Sequence, residues 1–304
     1  MRWCVSIGAV LIAGAMAGGD MARGASPDAR FDQSSPLTHA SLVQPYTAHA
    51  SFSPGALAQR NDVSPVVDVE LILAVDISYS MDLDELALQR EGYALAVTSP
   101  EFLKAMKSGP IGKVAITYFE WAASTDQKIV IPWRVIDGPE SAGAVAAEIL
   151  KAPLRRASRT SISGAINFSL PLFEQNPYRG IRRVIDISGD GANNNGVPVT
   201  VARDAALEKG VTINGLPIMV KELNPATMDI PNLDFYYEDC VIGGPGSFVV
   251  SVKAKEKFAE AIRTKLVLEV AHRTPERLVV PVSTQEPRVP CLIGERIWQD
   301  RWGR

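Results

Sequence analysis

The chain has 304 residues, 46% hydrophobic and 21% charged, an ordinary globular composition with room for one large domain or two small ones. A formal charge of -3 and the lack of any Lys/Arg-rich run argue against a phosphate-tracking surface, so no nucleic-acid partner is expected.

Residues 1–17 read as a secretory signal. Arg2 supplies the positive end, Val5 to Ala13 the apolar centre, and Ala15-Met16-Ala17 a small-x-small cleavage site. The apolar run is too short to span a bilayer, so no transmembrane span is expected after cleavage; an uncleaved anchor is the alternative. The expected address is the periplasm or the medium. Cleavage removes Cys4 and leaves Cys240 and Cys291, for which an oxidising compartment points to a disulfide, with two buried free thiols as the alternative. Residues 18–64 are rich in Ala, Ser, Pro, Gly and Gln, carry His39 and His49, and show no periodicity, which reads as a disordered linker.

From residue 65 the pattern alternates between strands and helices. The run Leu71-Ile-Leu-Ala-Val75 predicts a strand over 67–76 that is buried on both faces, followed by a helix over 82–97. Strands are expected at 113–121 and 128–136. The short connection between them and Pro132 in the second make that one an antiparallel edge. Helices follow at 141–150 and at 161–174, the latter broken or ended near Pro171. Beyond these come a strand at 182–188, a helix at 199–209, a strand at 211–219 and a short strand at 247–252. A helix over 254–270 carries Phe258, Ile262, Leu266 and Val270 on one stripe. This order calls for an α/β fold, a doubly wound and mostly parallel sheet with one antiparallel edge strand, over residues 65–271. The Pro-rich tail, 272–304, reads as an extended strap.

Three stretches carry chemistry. The first strand ends in Asp76-x-Ser78-x-Ser80, where one carboxylate and two hydroxyls on a turn suit Mg²⁺, Mn²⁺ or Ca²⁺ better than zinc or copper. Thr160 precedes a helical pattern in RTSISGAI, and RVIDISGDG ends a second apolar strand in Asp190. Together they resemble the metal-ion-dependent adhesion site of the von Willebrand factor type A family, in which three separate loops supply the ligands. One departure is Ser188-Gly189-Asp190-Gly191, where Thr-Asp-Gly is usual. The resemblance implies a Rossmann-like fold and a metal set of Asp76, Ser78, Ser80, Thr160 and Asp190. It also implies an octahedral divalent ion, Mg²⁺ or else Mn²⁺ or Ca²⁺, whose open position accepts a carboxylate from a protein partner.

Nearby polar residues have plainer readings. Asp82, Asp84 and Glu85 crowd the start of the first helix, where acids are stabilised by the dipole, although Asp82 is also a candidate for the rim of the site. Glu120 ends the second strand at the same edge and is a second rim candidate, while Asp186 lies mid-strand as a hydrogen-bonding acid behind the ligands. Asn193 to Asn195 read as a polar turn. Catalysis is not expected: the folded stretch holds one histidine, His272, at its end, with no Gly-rich phosphate loop and no Gly-x-Ser-x-Gly elbow. The expected function is exported, metal-dependent protein binding. An envelope assembly factor with a structural metal and a metal-assisted hydrolase are the rivals.

Overall fold

The computed structural model describes residues 64–222, 228–271 and 287–303, all within the compact unit Arg60–Arg304. The expected signal, and the expected linker apart from Ser64, lie outside the described residues. Five strands, β1 (Val66–Asp76), β2 (Val114–Trp121), β3 (Gln127–Ile136), β4 (Arg179–Gly189) and β5 (Val211–Pro217), form one sheet in the order β3-β2-β1-β4-β5. All neighbours are parallel except β2 and β3. β1 lies at the centre because its apolar run can be covered on both faces: every residue from Val67 to Asp76 is buried. β3 is the half-exposed antiparallel edge, and its ladder to β2 skips a step around Pro132, which has no N–H to donate.

Helices cover both faces. Val69, Leu71, Leu73 and Val75 of β1 pack into one core with α1 (Leu83–Thr98), α2 (Pro100–Lys107), α3 (Pro139–Lys151) and α7 (Phe258–Val270). The alternate residues Ile72 and Ala74 point into a second core with α4 (Ile162–Glu174), α5 (Val199–Glu208) and the short α6 (Leu233–Tyr236).

Four details differ from the sequence reading. α2 follows α1 directly, with Ser99 closing one helix and capping the next ahead of Pro100. α4 runs through Pro171 to Glu174, because a proline this close to the helix end costs only the bond that Asn167 would accept. The strand expected at 247–252 is reduced to isolated bridges from Val249 to Gly215 and from Val252 to Ile218, since Pro217 between them cannot donate. The tail is not extended throughout: Ile293–Trp302 form α8, with Ile293 and Ile297 packed on the second core. Residues 272–286 of that tail lie outside the described residues. Cys291 is disulfide-bonded to Cys240 across a separation of 51 residues. On the chain-entropy model, closing a loop of that size stabilises the fold by about 4 kcal/mol.

One ion cluster is sealed inside the first core. Lys265 of α7 lies 2.6 Å from Asp186 and 2.8 Å from Glu269, and Asn214 donates to Glu269 at 2.7 Å, all four side chains being buried. Removing the one cation leaves two buried carboxylates, so Lys265→Met is expected to cost about 3–5 kcal/mol in urea unfolding at pH 7. Asp186→Asn, which leaves a neutral Lys265–Glu269 pair, costs less. Burial pushes the Asp186 carboxyl up from 3.8 to about 6 despite Lys265. Its contribution to stability is therefore complete below pH 3.8 and lost as pH rises through about 6, so the gap between wild type and Asp186→Asn narrows over that window.

Candidate metal centre

Parallel neighbours end on the same side of a sheet, so the loops that leave β1 and β4 meet at the point where the strand order reverses. Asp76 is the last residue of β1 and is completely buried. Its Oδ1 accepts the backbone N–H of Ser78 at 2.7 Å, while Oδ2 is buried without a hydrogen-bond partner. The Ser78 and Ser80 hydroxyls are 2.7 Å apart, and Ser80 Oγ donates to Asp190 Oδ1 at 2.6 Å. A continuous row of oxygens thus joins the first loop to the third.

The departure at Ser188-Gly189-Asp190 has a steric reason. A Cβ on Gly189 would lie 2.8 Å from Asp76 Oδ2, so only glycine lets the β4 backbone come this close to the β1 carboxylate. Thr160 is buried in the second loop, and its Oγ1 lies 3.6 Å from where a Cβ on Gly191 would stand. Its backbone is tied to the third loop twice, by Thr160 N–H to Asn194 Oδ1 at 3.0 Å and by Asn194 N–H to the Thr160 carbonyl at 2.8 Å. The Asn turn is therefore a clamp. Asn193 Oδ1 accepts from the Ser163 N–H at 2.9 Å, and Asn195 Oδ1 from the Ser124 N–H at 2.8 Å.

The three outlying candidates sit elsewhere. Asp82 is the N-cap of α1, exchanging hydrogen bonds of 2.8 Å with Glu85, with Lys255 3.5 Å away. Glu120 is neither exposed nor at a rim: it is buried against the Arg90 guanidinium, whose other nitrogen holds the Ala152 carbonyl. Asp186 points to the opposite side of the sheet, toward Lys265.

The acid that does join the site is Glu85, through a residue the sequence reading passed over. Lys221 Nζ lies 2.5 Å from Glu85 Oε2 and 3.2 Å from Asp190 Oδ2, and also contacts the Ser80 carbonyl. Burial works to lower the Lys221 pKa, but Asp190 and Glu85 more than offset it, so the ammonium is held above its ordinary range. Burial raises both candidate ligand acids. Asp76 is pushed well above the carboxylate range, with Asp190 adding to the effect, and Asp190 rises to about 6 although Lys221 opposes it.

Two acids and three hydroxyls form a hard-oxygen set, and the unpartnered Asp76 Oδ2 is an acceptor in want of a cation, so these residues fit a divalent ion of the Mg²⁺ or Ca²⁺ kind. Among the described residues no group of three or more His, Cys, Asp or Glu side chains is placed to hold a metal. The hydroxyls are thus essential to the candidate. Ser78, Ser80 and Thr160 face a cleft of about 520 Å³, whose wall is completed by Arg159 and by Trp298 and Trp302 of α8.

The architecture is that of an α/β domain with an oxygen-rich site on loops at the carboxyl edge of its sheet. Residues 66–274 match the family described as Protein of unknown function (DUF1194), and the chain belongs to that family. Curated proteins give no match. Solved structures give several, each of low identity. One is a von Willebrand factor type A protein from Catenulispora acidiphila, 15% identical, covering 66% of this chain and 42% of that one at a TM-score of 0.47. Another is proximal thread matrix protein 1 from the mussel byssus with a zinc-occupied MIDAS motif, 16% identical, covering 68% and 48% at a TM-score of 0.47. A third is the conserved hypothetical protein BatB from Bacteroides thetaiotaomicron, 19% identical, covering 65% and 98% at a TM-score of 0.43. The chain spans less than half the length of the mussel and Catenulispora proteins. At these TM-scores the likenesses add nothing to what strand order and loops already show. Among the described residues no helix is long and apolar enough to cross a membrane.

Lys221 holds Asp190 and would compete for it with an incoming cation. Lys221→Met is expected to raise Mg²⁺ affinity about tenfold in calorimetry, because one positive charge is removed from beside the site. In chelator the same variant should unfold at lower temperature, since Glu85 keeps no cation.

Proposed function

We propose that the chain is an exported, metal-dependent protein-binding domain. Asp76, Ser78, Ser80, Thr160 and Asp190 hold a divalent cation, Mg²⁺ first, and the cation takes one acidic side chain from a protein partner through the mouth of the cleft. The observation that carries this reading is the buried, unpartnered Asp76 Oδ2 at the head of a row of hydroxyls that ends on Asp190 and faces open space.

Two carboxylates and three hydroxyls supply five oxygens, so an octahedral divalent ion keeps one position for a further anion without a closed cage. Chemistry at the site is carried by binding: the serines act as neutral donors that set the ion's position, and the Asn clamps keep the second and third loops in register so that the ligands need little reorganisation. The Cys240–Cys291 disulfide supports an oxidising address outside the cytoplasm.

Asp76→Asn tests the reading with little disturbance, since the amide oxygen can still accept from the Ser78 N–H. It should abolish measurable Mg²⁺ binding and the chelator-sensitive capture of a partner from envelope extract, with the circular dichroism spectrum unchanged. Ser78→Ala and Thr160→Ala each remove one neutral donor and should weaken both properties by about tenfold. Capture by Asp76→Asn that equals wild type would overturn the adhesion mechanism.

A further inference from the structure

The wall of the cleft opposite the candidate ligands is built with unusual care. α8 is fastened by the disulfide two residues before it starts and by Asn193 Nδ2 donating to Glu295 Oε1 at 2.7 Å. Its first turn presses directly on the third loop: a Cβ on Gly294 would lie 2.1 Å from the Asn193 carbonyl oxygen, so glycine is required for the approach. This seats Trp298 over the second loop, where the Arg159 guanidinium stacks 3.9 Å from its ring centre, and sets Trp302 5.9 Å from Trp298.

Arg159 adopts φ +76°, and Met228 φ +66°; among the described residues these are the only non-glycine positions in the left-handed region, and both line this one cleft. Strain of that kind is kept where surrounding structure imposes it, and ligand clamps are a common place for it.

Charge in the cleft is unbalanced. On the cation reading a divalent ion would balance Asp76 and Asp190, and Lys221 is matched by Glu85. Among the described residues Arg159 has no carboxylate within ion-pair distance, and it is the one charged residue lining the cleft. Arg155 is paired with Asp126 at 2.5 Å, whereas Arg156 donates to the Tyr79 carbonyl and adds a second unneutralised charge behind the Tyr79 ring. Stacking occupies one face of the Arg159 guanidinium and leaves its N–H edge free, the edge that grips a carboxylate bidentately.

Resting on the cation reading above, we infer that Arg159 is a second anion subsite and that the cleft selects a protein segment bearing two neighbouring carboxylates. The first binds the cation, and the second binds the Arg159 edge. Arg159 directly precedes the candidate ligand Thr160 and lines the same cleft as Ser78, Ser80 and Thr160, so both subsites open on one space that a short segment can reach. Trp302, about half exposed, covers the aliphatic part of the segment.

The experiment uses the mature full chain with saturating Mg²⁺ and two blocked probes, acetyl-Gly-Asp-Asp-Gly-amide and acetyl-Gly-Asp-Asn-Gly-amide, followed by calorimetry and tryptophan fluorescence. The diacidic probe should bind about tenfold more tightly, the worth of one charge-assisted contact. Arg159→Gln should erase that preference without weakening Mg²⁺ binding, and Trp298→Ala should erase it too by removing the stack that orients the guanidinium. Equal binding of the two probes by wild type, or a preference that survives Arg159→Gln, overturns the subsite while leaving the cation reading intact. A diacidic preference that persists in chelator and disappears in Arg159→Gln supports the subsite and defeats the cation reading. Binding of neither probe defeats both.

Discussion

Two carboxylates, Asp76 and Asp190, are buried beside one another at the ends of adjacent parallel strands, and much of the local structure answers that constraint. The β1–β4 register pairs Val75 with Ser188, which places Gly189 against Asp76 and brings the next residue, Asp190, into reach. Burying two like charges is expensive, and each carboxyl is accordingly held above its usual range. The backbone N–H of Ser78, the Ser80 hydroxyl and the Lys221 ammonium each offset part of that cost. What remains, the bare Asp76 Oδ2, is the part a cation would neutralise.

The fold was legible because its signals are local. A five-residue apolar run rich in branched residues suits a strand covered on both faces, and Pro132 in a half-polar strand belongs at an edge. The candidate loops were legible for a related reason: Asp76, Ser78 and Ser80 share one turn, and Asp190 stops a strand as Asp76 does. The misses at the site are long-range. Lys221 lies 31 residues from Asp190 and 141 from Ser80, and nothing in its neighbours announces where its ammonium goes. Glu120 at a strand end looks like a rim acid until Arg90, 30 residues away, closes over it. α8 follows a run of prolines and starts without a side-chain cap, so its ten residues did not announce a helix in that tail.

The three consecutive asparagines show how one turn can govern several loops. Asn193 binds the start of α4, Asn194 the backbone of Thr160, and Asn195 the turn between β2 and β3. Each side-chain oxygen takes a backbone N–H that a loop would otherwise leave unsatisfied. The second and third loops that carry the candidate ligands are therefore tied directly to each other.

The disulfide divides the cleft into parts with different origins. The loops of Asp76, Thr160 and Asp190 are set by the sheet and the asparagines, with no need of a crosslink, whereas the tryptophan wall hangs on a segment that Cys291 fastens to Cys240. A newly made chain in a reducing environment would assemble the floor of the cleft before its wall is anchored. Oxidation of that cysteine pair therefore bears on the tryptophan wall and not on the loops of the candidate ligands.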